Sequence, residues 1–594
     1  MGSLIDALKF FLKYRKKLIN QIMLYVSMIC AVTVIVEFGY ITDPLLAIEV
    51  KKAVTFMFYG LFVLELFRTF SSIFVFRKIS VTHYSRLIVI VYFCIIVFAR
   101  LFDIAWLSFF DHDQWMYLGI AIVFLTELSK SSLVFDNFYF NPTIIFVISF
   151  ISLILIGAVF LMLPRATVNT PLTIIDAIFM SASAVCITGL AVTDIATNLS
   201  LFGQSIVLVL IQVGGLGIMT FTGFFGYFFS GGFSFKNQLM FGEILGENKI
   251  NAVISTLLTI IFITLLFEFI GALFIYASLD AALFPSEGER IFFAIFHAVS
   301  SFCNSGFSIL NNGIANEGYR YNYNFQIVLA LIFILGGLGF GTVFNFYTFL
   351  KNKAKSIWYM FLQKEYKYKA QYFSFNTKFI VACNAIVLLV ITISYFLLEQ
   401  KHTLTVDRSV AGEWVTSFFM ANASRSAGFN SVNIGLLAAP TLIMVTTLMW
   451  IGASPGSTGG GVKVTTVAVA FLNIIALARG KESIEVFKRR IDVESLNKAF
   501  AIIILSVVVI TFSFVMLNFT DGDKPMKALL FECVSAYTTC GLSLGITPLL
   551  STGGKFVIIC TMFVGRVGTL TLLMAIIKNT RNKSYIYPAE KLLF

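Results

Sequence analysis

Ser183-Ala-Val-Cys-Ile-Thr-Gly189-Leu190 is the first of four stretches that decide how this chain is read. The others are Ser300-Ser-Phe-Cys-Asn-Ser-Gly306-Phe307, Asn422-Ala-Ser-Arg-Ser-Ala-Gly428-Phe429 and Ser535-Ala-Tyr-Thr-Thr-Cys-Gly541-Leu542. Their glycines lie 117, 122 and 113 residues apart. A near-constant period over a long chain marks a repeated architecture. Each stretch sits between two long apolar segments, so the repeating unit reads as helix, short re-entrant hairpin, helix. The sixth residue before the glycine is Ser183, Ser300, Asn422 and Ser535, and the fifth is Ala184, Ser301, Ala423 and Ala536. The residue just before it is Thr188, Ser305, Ala427 and Cys540. Small side chains let four backbones approach one axis, and glycine admits the positive φ that turns carbonyls inward. Four such hairpins can line a pore with backbone carbonyls, which is how a selective cation pathway is built. Glycine kinks at ordinary helix contacts would explain one such stretch, but not four in register.

Composition fixes the environment. Of 594 residues, 58% are hydrophobic and 12% charged, and the mean hydropathy is +0.90. Polar surface on that scale cannot cover a soluble fold. Many apolar runs exceed the roughly 18 residues needed to cross about 30 Å of hydrocarbon. The expected class is an all-α polytopic membrane protein, and the 66 phenylalanines suit lipid-facing surfaces. The eight cysteines form no CxxC pair, and Cys186, Cys303 and Cys540 read as small residues inside the hairpins. The basic N-terminus (Lys9, Lys13, Arg15, Lys16, Lys17) precedes an apolar run without a small-residue cleavage site, so a retained first helix is expected.

Four spans are expected in an N-terminal extension over 1–140, near 18–40, 52–76, 86–108 and 114–130. The repeats follow as domains 141–232, 250–351, 376–480 and 496–580, with a tail at 581–594. Twelve spanning helices and four half-helices result, with the second helix of repeat 2 at 324–350 and that of repeat 4 at 555–578. Lysines and arginines concentrate in 351–378, 479–490 and the tail, on the same side as the basic N-terminus. The opposite loops carry Asp43, Glu49, Asp111, Asp113, Asp280, Glu287, Asp407, Asp521 and Asp523. The positive-inside rule then puts both termini in the cytoplasm and has the hairpins enter from outside. The net charge of +12 follows from this bias and from anionic inner-leaflet lipids, so no nucleic-acid partner is invoked.

The hairpins resemble the selectivity-filter loops of the Trk/Ktr/HKT superfamily of potassium transporters, specifically the bacterial TrkH/KtrB-type membrane subunits. The resemblance covers about residues 143–580. Gly-Gly-Leu-Gly at 214–217 and 336–339, then Gly452 and Gly565, follow the four filters in order. Glycine at all four filter positions implies K⁺ as the transported ion. The filter residues implied are Ile187, Thr188 and Gly189; Asn304, Ser305 and Gly306; Ser426, Ala427 and Gly428; and Thr539, Cys540 and Gly541.

The second helix of repeat 3 contains Gly452-Ala453-Ser454-Pro455-Gly456-Ser457-Thr458-Gly459-Gly460-Gly461. Five glycines and a proline cannot sustain a helix in mid-span. Lying under the filter, this segment can obstruct the pathway and move aside, and it resembles the intramembrane gating loop of the family. Arg566, within Phe-Val-Gly-Arg-Val-Gly-Thr, is a lone charge at lipid depth and must face a polar interior. The resemblance implies that it lines the pore, faces the gating loop and raises the barrier to cations. Arg425, beside the third filter, reads as a hydrogen-bonding support.

The four N-terminal helices exceed what the resemblance implies. Arg68, Arg77, Lys78, Arg86 and Arg100 lack the every-third spacing of a voltage sensor. Packing, dimer contacts or partner docking are the expected roles of this extension. Glu37, Glu65 and Glu268 read either as proton sites or as satisfied buried carboxyls. No Walker motif, Rossmann fingerprint or metal-ligand cluster occurs, and neither an enzyme activity nor a covalently bound cofactor is expected. The resemblance implies a homodimer in the cell (inner) membrane and a cytosolic ring of nucleotide-binding regulatory subunits (TrkA/KtrA-like), so any nucleotide acts through that partner. A sodium or poorly selective monovalent cation transporter and an alternating-access carrier are the rival readings.

Overall fold

The computed structural model describes residues 2–41, 44–75, 81–102, 110–131, 142–229, 252–361 and 373–576. The described residues are almost entirely helical; the strand pair Glu485–Val486 and Arg489–Arg490 forms a small hairpin. Among the described residues, four helical stretches are long and apolar enough to cross a membrane unaided: Gln21–Gly39, Leu258–Ser278, Phe375–Glu399 and Val493–Asp521. The tail, Lys364, Lys367 and Lys369 of the basic loop, and Arg77, Lys78 and Asp103 lie outside the described residues.

The chain divides into two compact units. The first holds helices α1 (Gly2–Gly39), α2 (Pro44–Val75), α3 (Val81–Phe102) and α4 (Asp113–Ser131). Met23, Cys30, Phe58, Phe93, Ile96 and Ile120 form its core, with Phe58 stacked on Phe93 at 4.8 Å. Its buried charges are paired. Arg68 Nη1 reaches Glu127 Oε1 at 2.7 Å and Glu65 Oε2 at 3.4 Å. Tyr117 donates to Glu37 Oε1 at 2.6 Å, and Arg100 meets Asp113 at 2.7 Å. Burial of such groups is tolerable only with partners of this kind.

The second unit contains the hairpins. Each is a half-helix: α6 (Ile174–Val185), α9 (Glu287–Phe302), α13 (Val410–Ala423) and α17 (Met526–Thr538). Each follows an outer helix: α5 (Pro142–Leu161), α8 (Ala252–Ser278), α12 (Phe375–Glu399) and α16 (Val493–Asp521). Three half-helices start on a side-chain cap, with Thr173, Ser286 and Ser409 accepting from Asp176 N, Glu289 N and Gly412 N. A cap of this type stabilises a helix by about 0.5–2 kcal/mol. The fourth starts after Pro525, which fixes the entry backbone instead.

The second helices are α7 (Leu201–Phe229), α10 (Tyr323–Gly337) with α11 (Phe340–Phe361), α14 (Ala439–Trp450) with α15 (Val464–Ala478), and α18 (Thr552–Val567) with α19 (Thr569–Ile576). The break in repeat 3 falls at the glycine-rich segment, as expected. The unbroken helices expected at 324–350 and 555–578 are corrected. Repeat 2 bends by 104° between α10 and α11, and repeat 4 breaks at Gly568, where φ is +87°.

The repeat 2 break has a definite cause. In a continuing helix the Gly336 and Gly337 carbonyls would accept from residues four further on. Here Gly337 O accepts from Ser454 N at 3.1 Å, and Phe340 N donates to Gly456 O at 2.9 Å. Backbone pairing inside the helix has been exchanged for pairing with the repeat 3 loop. Gly339 sits at φ +88°, and a Cβ there would fall 2.5 Å from Pro455 O, so a side chain has no room.

Apolar packing joins the repeats around a closed circuit. One cluster runs through Phe179, Ile211, Leu529 and Met562 of repeats 1 and 4, with Phe296 of repeat 2. A second joins repeats 2 and 3 through Phe302, Phe333, Phe419 and Phe429. A third joins repeats 3 and 4 through Met449, Phe531 and Tyr537. Lys555 and Asp176 add an ion pair of 2.5 Å between repeats 4 and 1.

Candidate functional site

The glycines of the four hairpins, Gly189, Gly306, Gly428 and Gly541, form a ring. A Cβ built on Gly189 would overlap Ser305 O, one on Gly428 would overlap Cys540 O, and one on Gly541 would overlap Thr188 O. On Gly306 it would stand 2.9 Å from Ala427 O. Repeat 1 thus abuts 2, 2 abuts 3, 3 abuts 4, and 4 returns to 1, each through the carbonyl just before the next glycine. Four backbones can close such a circuit only around a common centre.

Local backbone geometry repeats as well. The glycines have φ of +89°, +71°, +74° and +92°, and the residues two before them, Ile187, Asn304, Ser426 and Thr539, have φ of +57°, +57°, +95° and +48°. Left-handed backbone at non-glycine residues is uncommon and is held only where the surroundings over-determine it. That conformation at these four residues was not legible from residue type. In repeats 1, 2 and 4 the hairpin is tied by the same bond. Thr188 N donates to Ser183 O (2.8 Å), Ser305 N to Ser300 O (2.9 Å) and Cys540 N to Ser535 O (3.0 Å). Repeat 3 differs, with Ala427 N and Gly428 N both bonded to Ala423 O at 3.0 Å.

Each half-helix ends just before its glycine turn, so its negative dipole end adjoins the ring, an arrangement that favours a cation. The glycines of the second helices allow this closeness. A Cβ on Gly214, Gly336 or Gly565 would overlap the carbonyl of Val185, Phe302 or Tyr537, each four residues before a glycine of the ring.

The glycine-rich segment sits against the ring. Gly460 N donates to Ser426 Oγ at 3.0 Å, and a Cβ on Gly460 would overlap Thr539 Oγ1. Asn304 donates to Phe333 O (3.1 Å) and accepts from Gly337 N (3.2 Å) and Thr458 Oγ1 (2.8 Å). Arg566 is buried (8% exposed); it donates through Nη1 to Thr458 O and through Nη2 to Gly214 O at 2.8 Å. All four repeats therefore touch this segment directly or through Arg566. Ser454, Thr458, Gly459, Gly460 and Arg566 come together in this way. Pro455, Gly456 and Ser457 lie instead on the break between α10 and α11 or within the segment's own turn, where Ser457 Oγ donates to Ser454 O at 2.6 Å. Gly452 and Gly461 close the loop's neck, Gly452 N donating to Val462 O at 2.9 Å.

Arg425 Nη2 donates to Asn384 Oδ1 (3.0 Å) and Gly452 O (3.3 Å), and Asn384 Nδ2 donates to Ser454 Oγ (2.8 Å). It ties the third hairpin to α12 and to the start of the glycine-rich segment. Glu268 on α8 accepts from Gln212 Nε2 at 3.0 Å and lies beside Cys303. Two participants escaped the sequence reading: Asn384, and Lys463, whose Nζ donates to Gly459 O at 2.5 Å. Lys463 carried the same signal as Arg566, a lone charge within an apolar run.

Residues 117–586 match the TrkH family, described as a cation transport protein. The chain belongs to the TrkH family. Relatives of this TrkH-family chain include the Ktr system potassium uptake protein B of Bacillus subtilis (strain 168), 33% identical over 76% of this chain and 96% of that protein. The protein of the same name from Vibrio alginolyticus is 33% identical over 73% of this chain and 90% of its own length. The crystal structure of the potassium transporter TrkH from Vibrio parahaemolyticus superposes with TM-score 0.59 at 17% identity, covering 82% of this chain and 95% of that one. That likeness establishes a shared fold. The chain is accordingly a multi-pass, membrane-embedded cation transporter and not an enzyme.

Proposed function

We propose that this protein carries K⁺ into the cell through a backbone-carbonyl filter formed by Ile187–Gly189, Asn304–Gly306, Ser426–Gly428 and Thr539–Gly541. The closed circuit of carbonyl and glycine contacts carries the proposal. Carbonyl dipoles gathered at the ends of four half-helices replace the hydration shell of a cation and cost no reorganisation when the ion arrives. The loop Gly452–Gly461, held by Arg566, is the gate. In its present position it bonds to filter residues Asn304 and Ser426, and the Arg566 that holds it adds a positive charge. Relatives named as potassium uptake proteins support K⁺ as the ion.

The cell (inner) membrane location, both termini inside, a homodimer of this subunit and a cytosolic nucleotide-binding regulatory ring belong to the same reading. So do the division into a 1–140 extension and four pore repeats, and docking on the basic 351–378 loop, whose Lys351, Lys353, Lys355 and Lys378 are exposed. The test is cation flux through the purified full chain in liposomes, comparing K⁺, Rb⁺ and Na⁺ with and without a membrane potential. K⁺ and Rb⁺ flux well above Na⁺ is expected, with the difference reduced by Gly189→Ser. Equal Na⁺ and K⁺ flux would leave a pore and refute the selectivity.

A further inference from the structure

Lys463 is half-buried and stands where a cation is hard to keep. It is the N-cap residue of α15, and its side chain caps nothing there. The N-terminal end of a helix is its positive end and repels an ammonium group. Arg566 adds a second positive charge close by: the guanidinium holds Thr458 O and the ammonium holds Gly459 O, two consecutive carbonyls of one loop. Among the described residues neither cation has a carboxylate partner. Two like charges gathered without an acid, at a helix end of the same sign, are a poor solution if the only purpose is to stabilise the fold.

The carbonyls they occupy suggest another purpose. Gly459 adjoins Gly460, whose amide bonds to Ser426 of the third filter. A cation leaving the filter inward next meets this loop, where carbonyl oxygen is its natural ligand. At Gly459 that ligand already holds a tethered ammonium.

We infer that Lys463 is a gating residue of the transport pathway, a tethered cation that occupies the Gly459 carbonyl and must leave it before the permeant ion can pass. This rests on the proposed pore and gate and adds to them a residue outside the glycine-rich segment. Three consequences follow. Removing the charge removes one charge-assisted hydrogen bond from the closed loop and lowers the electrostatic barrier. The ion no longer competes with an ammonium for Gly459 O, so half-saturation falls as well as maximal flux rising. Arginine retains a charge that can hold the same carbonyl, so the conservative variant stays closed.

The experiment measures Rb⁺ uptake into liposomes containing the full chain as wild type, Lys463→Met, Lys463→Gln, Lys463→Arg, and a variant with the 452–461 loop shortened. Methionine keeps the stem, and glutamine keeps a donor for Gly459 O without the charge, so glutamine carries the test should methionine fail to yield a monodisperse protein. The expected result is about a tenfold rise in flux for the neutral variants, the effect of one charge-assisted hydrogen bond. A lower half-saturating concentration and near wild-type behaviour for Lys463→Arg complete the expectation. Unchanged or lower flux in the neutral variants, with the shortened loop conducting well, would overturn the role of Lys463 and leave the gate standing. If the shortened loop also fails to raise flux, the gate reading itself falls, and this inference with it.

Discussion

Adding a methyl group to each filter glycine in turn gives the sharpest test of the ring, because the four positions are not equally crowded. All four have φ between +71° and +92°, where a residue with a side chain incurs about 1–3 kcal/mol of backbone strain. That term is common to the series. The second term is not. On Gly306 the new Cβ would stand 2.9 Å from both Ala427 O and Gly428 Cα. This is roughly 0.6 Å inside the distance of about 3.5 Å at which carbon contacts turn favourable. Overpacking of that size costs about 1–3 kcal/mol, so Gly306→Ala should lose about 2–6 kcal/mol in all.

On Gly189, Gly428 and Gly541 the Cβ would overlap a carbonyl oxygen outright. The obstacle is backbone in a neighbouring repeat, so it cannot rotate away, and the carbonyl itself must shift. Gly306→Ala should therefore remain the most stable and most selective of the four. The other three should lose at least about tenfold in K⁺ over Na⁺ discrimination, equivalent to about 1.4 kcal/mol. Thermal unfolding in detergent reads the first quantity, and Rb⁺ against Na⁺ flux in liposomes reads the second. The reasoning is refuted if Gly306→Ala is as damaging as Gly541→Ala by both measures. It is equally refuted if all four substitutions leave discrimination unchanged.

Arg566→Gln should raise flux, because it removes a positive charge and weakens the bonds to Thr458 O and Gly214 O. Bonds to a charged group contribute about 1.5–3 kcal/mol each, and flux equal to wild type would count against a gating role. Asn304→Leu removes the contacts to Phe333 O, Gly337 N and Thr458 Oγ1 together. On the proposed pore and gate, where Asn304 joins the two, it should raise flux while reducing K⁺ preference; a loss of stability with neither transport change would show that Asn304 only packs. In the N-terminal unit, Arg68→Leu removes a buried cation that pairs with Glu65 and Glu127. The expected cost is about 3–5 kcal/mol of stability, read by thermal unfolding, with ion selectivity unchanged in the surviving protein.

Much of this protein is legible in its sequence because the deciding features are local. A hydropathy of this size permits only a membrane fold, and four glycines at near-constant spacing announce four like units. Glycine and proline in 452–461 forbid a continuous helix whatever surrounds them, and Arg566 at lipid depth requires a polar neighbour. None of these inferences needs to know which repeat lies beside which.

Other features depend on partners far away in the chain. The break after Gly337 exists because carbonyls in repeat 2 pair with amides of Ser454 and Thr458 in repeat 3. An isolated reading of Gly-Gly-Leu-Gly at 336–339 cannot distinguish it from 214–217, which lies within the continuous helix α7. The left-handed backbone of Ile187, Ser426 and Thr539, residue types that rarely adopt it, is likewise held by their packed surroundings. Arg566 meets Gly214 across 352 residues, and Asn304 meets Thr458 across 154. Composition, period and glycine placement thus set the class, the number of units and the positions where backbone can turn. Only the closing of the ring decided which carbonyl faces which glycine and where Lys463 finds its carbonyl, because those choices come from hydrogen bonds and steric contacts between segments that sequence proximity does not link.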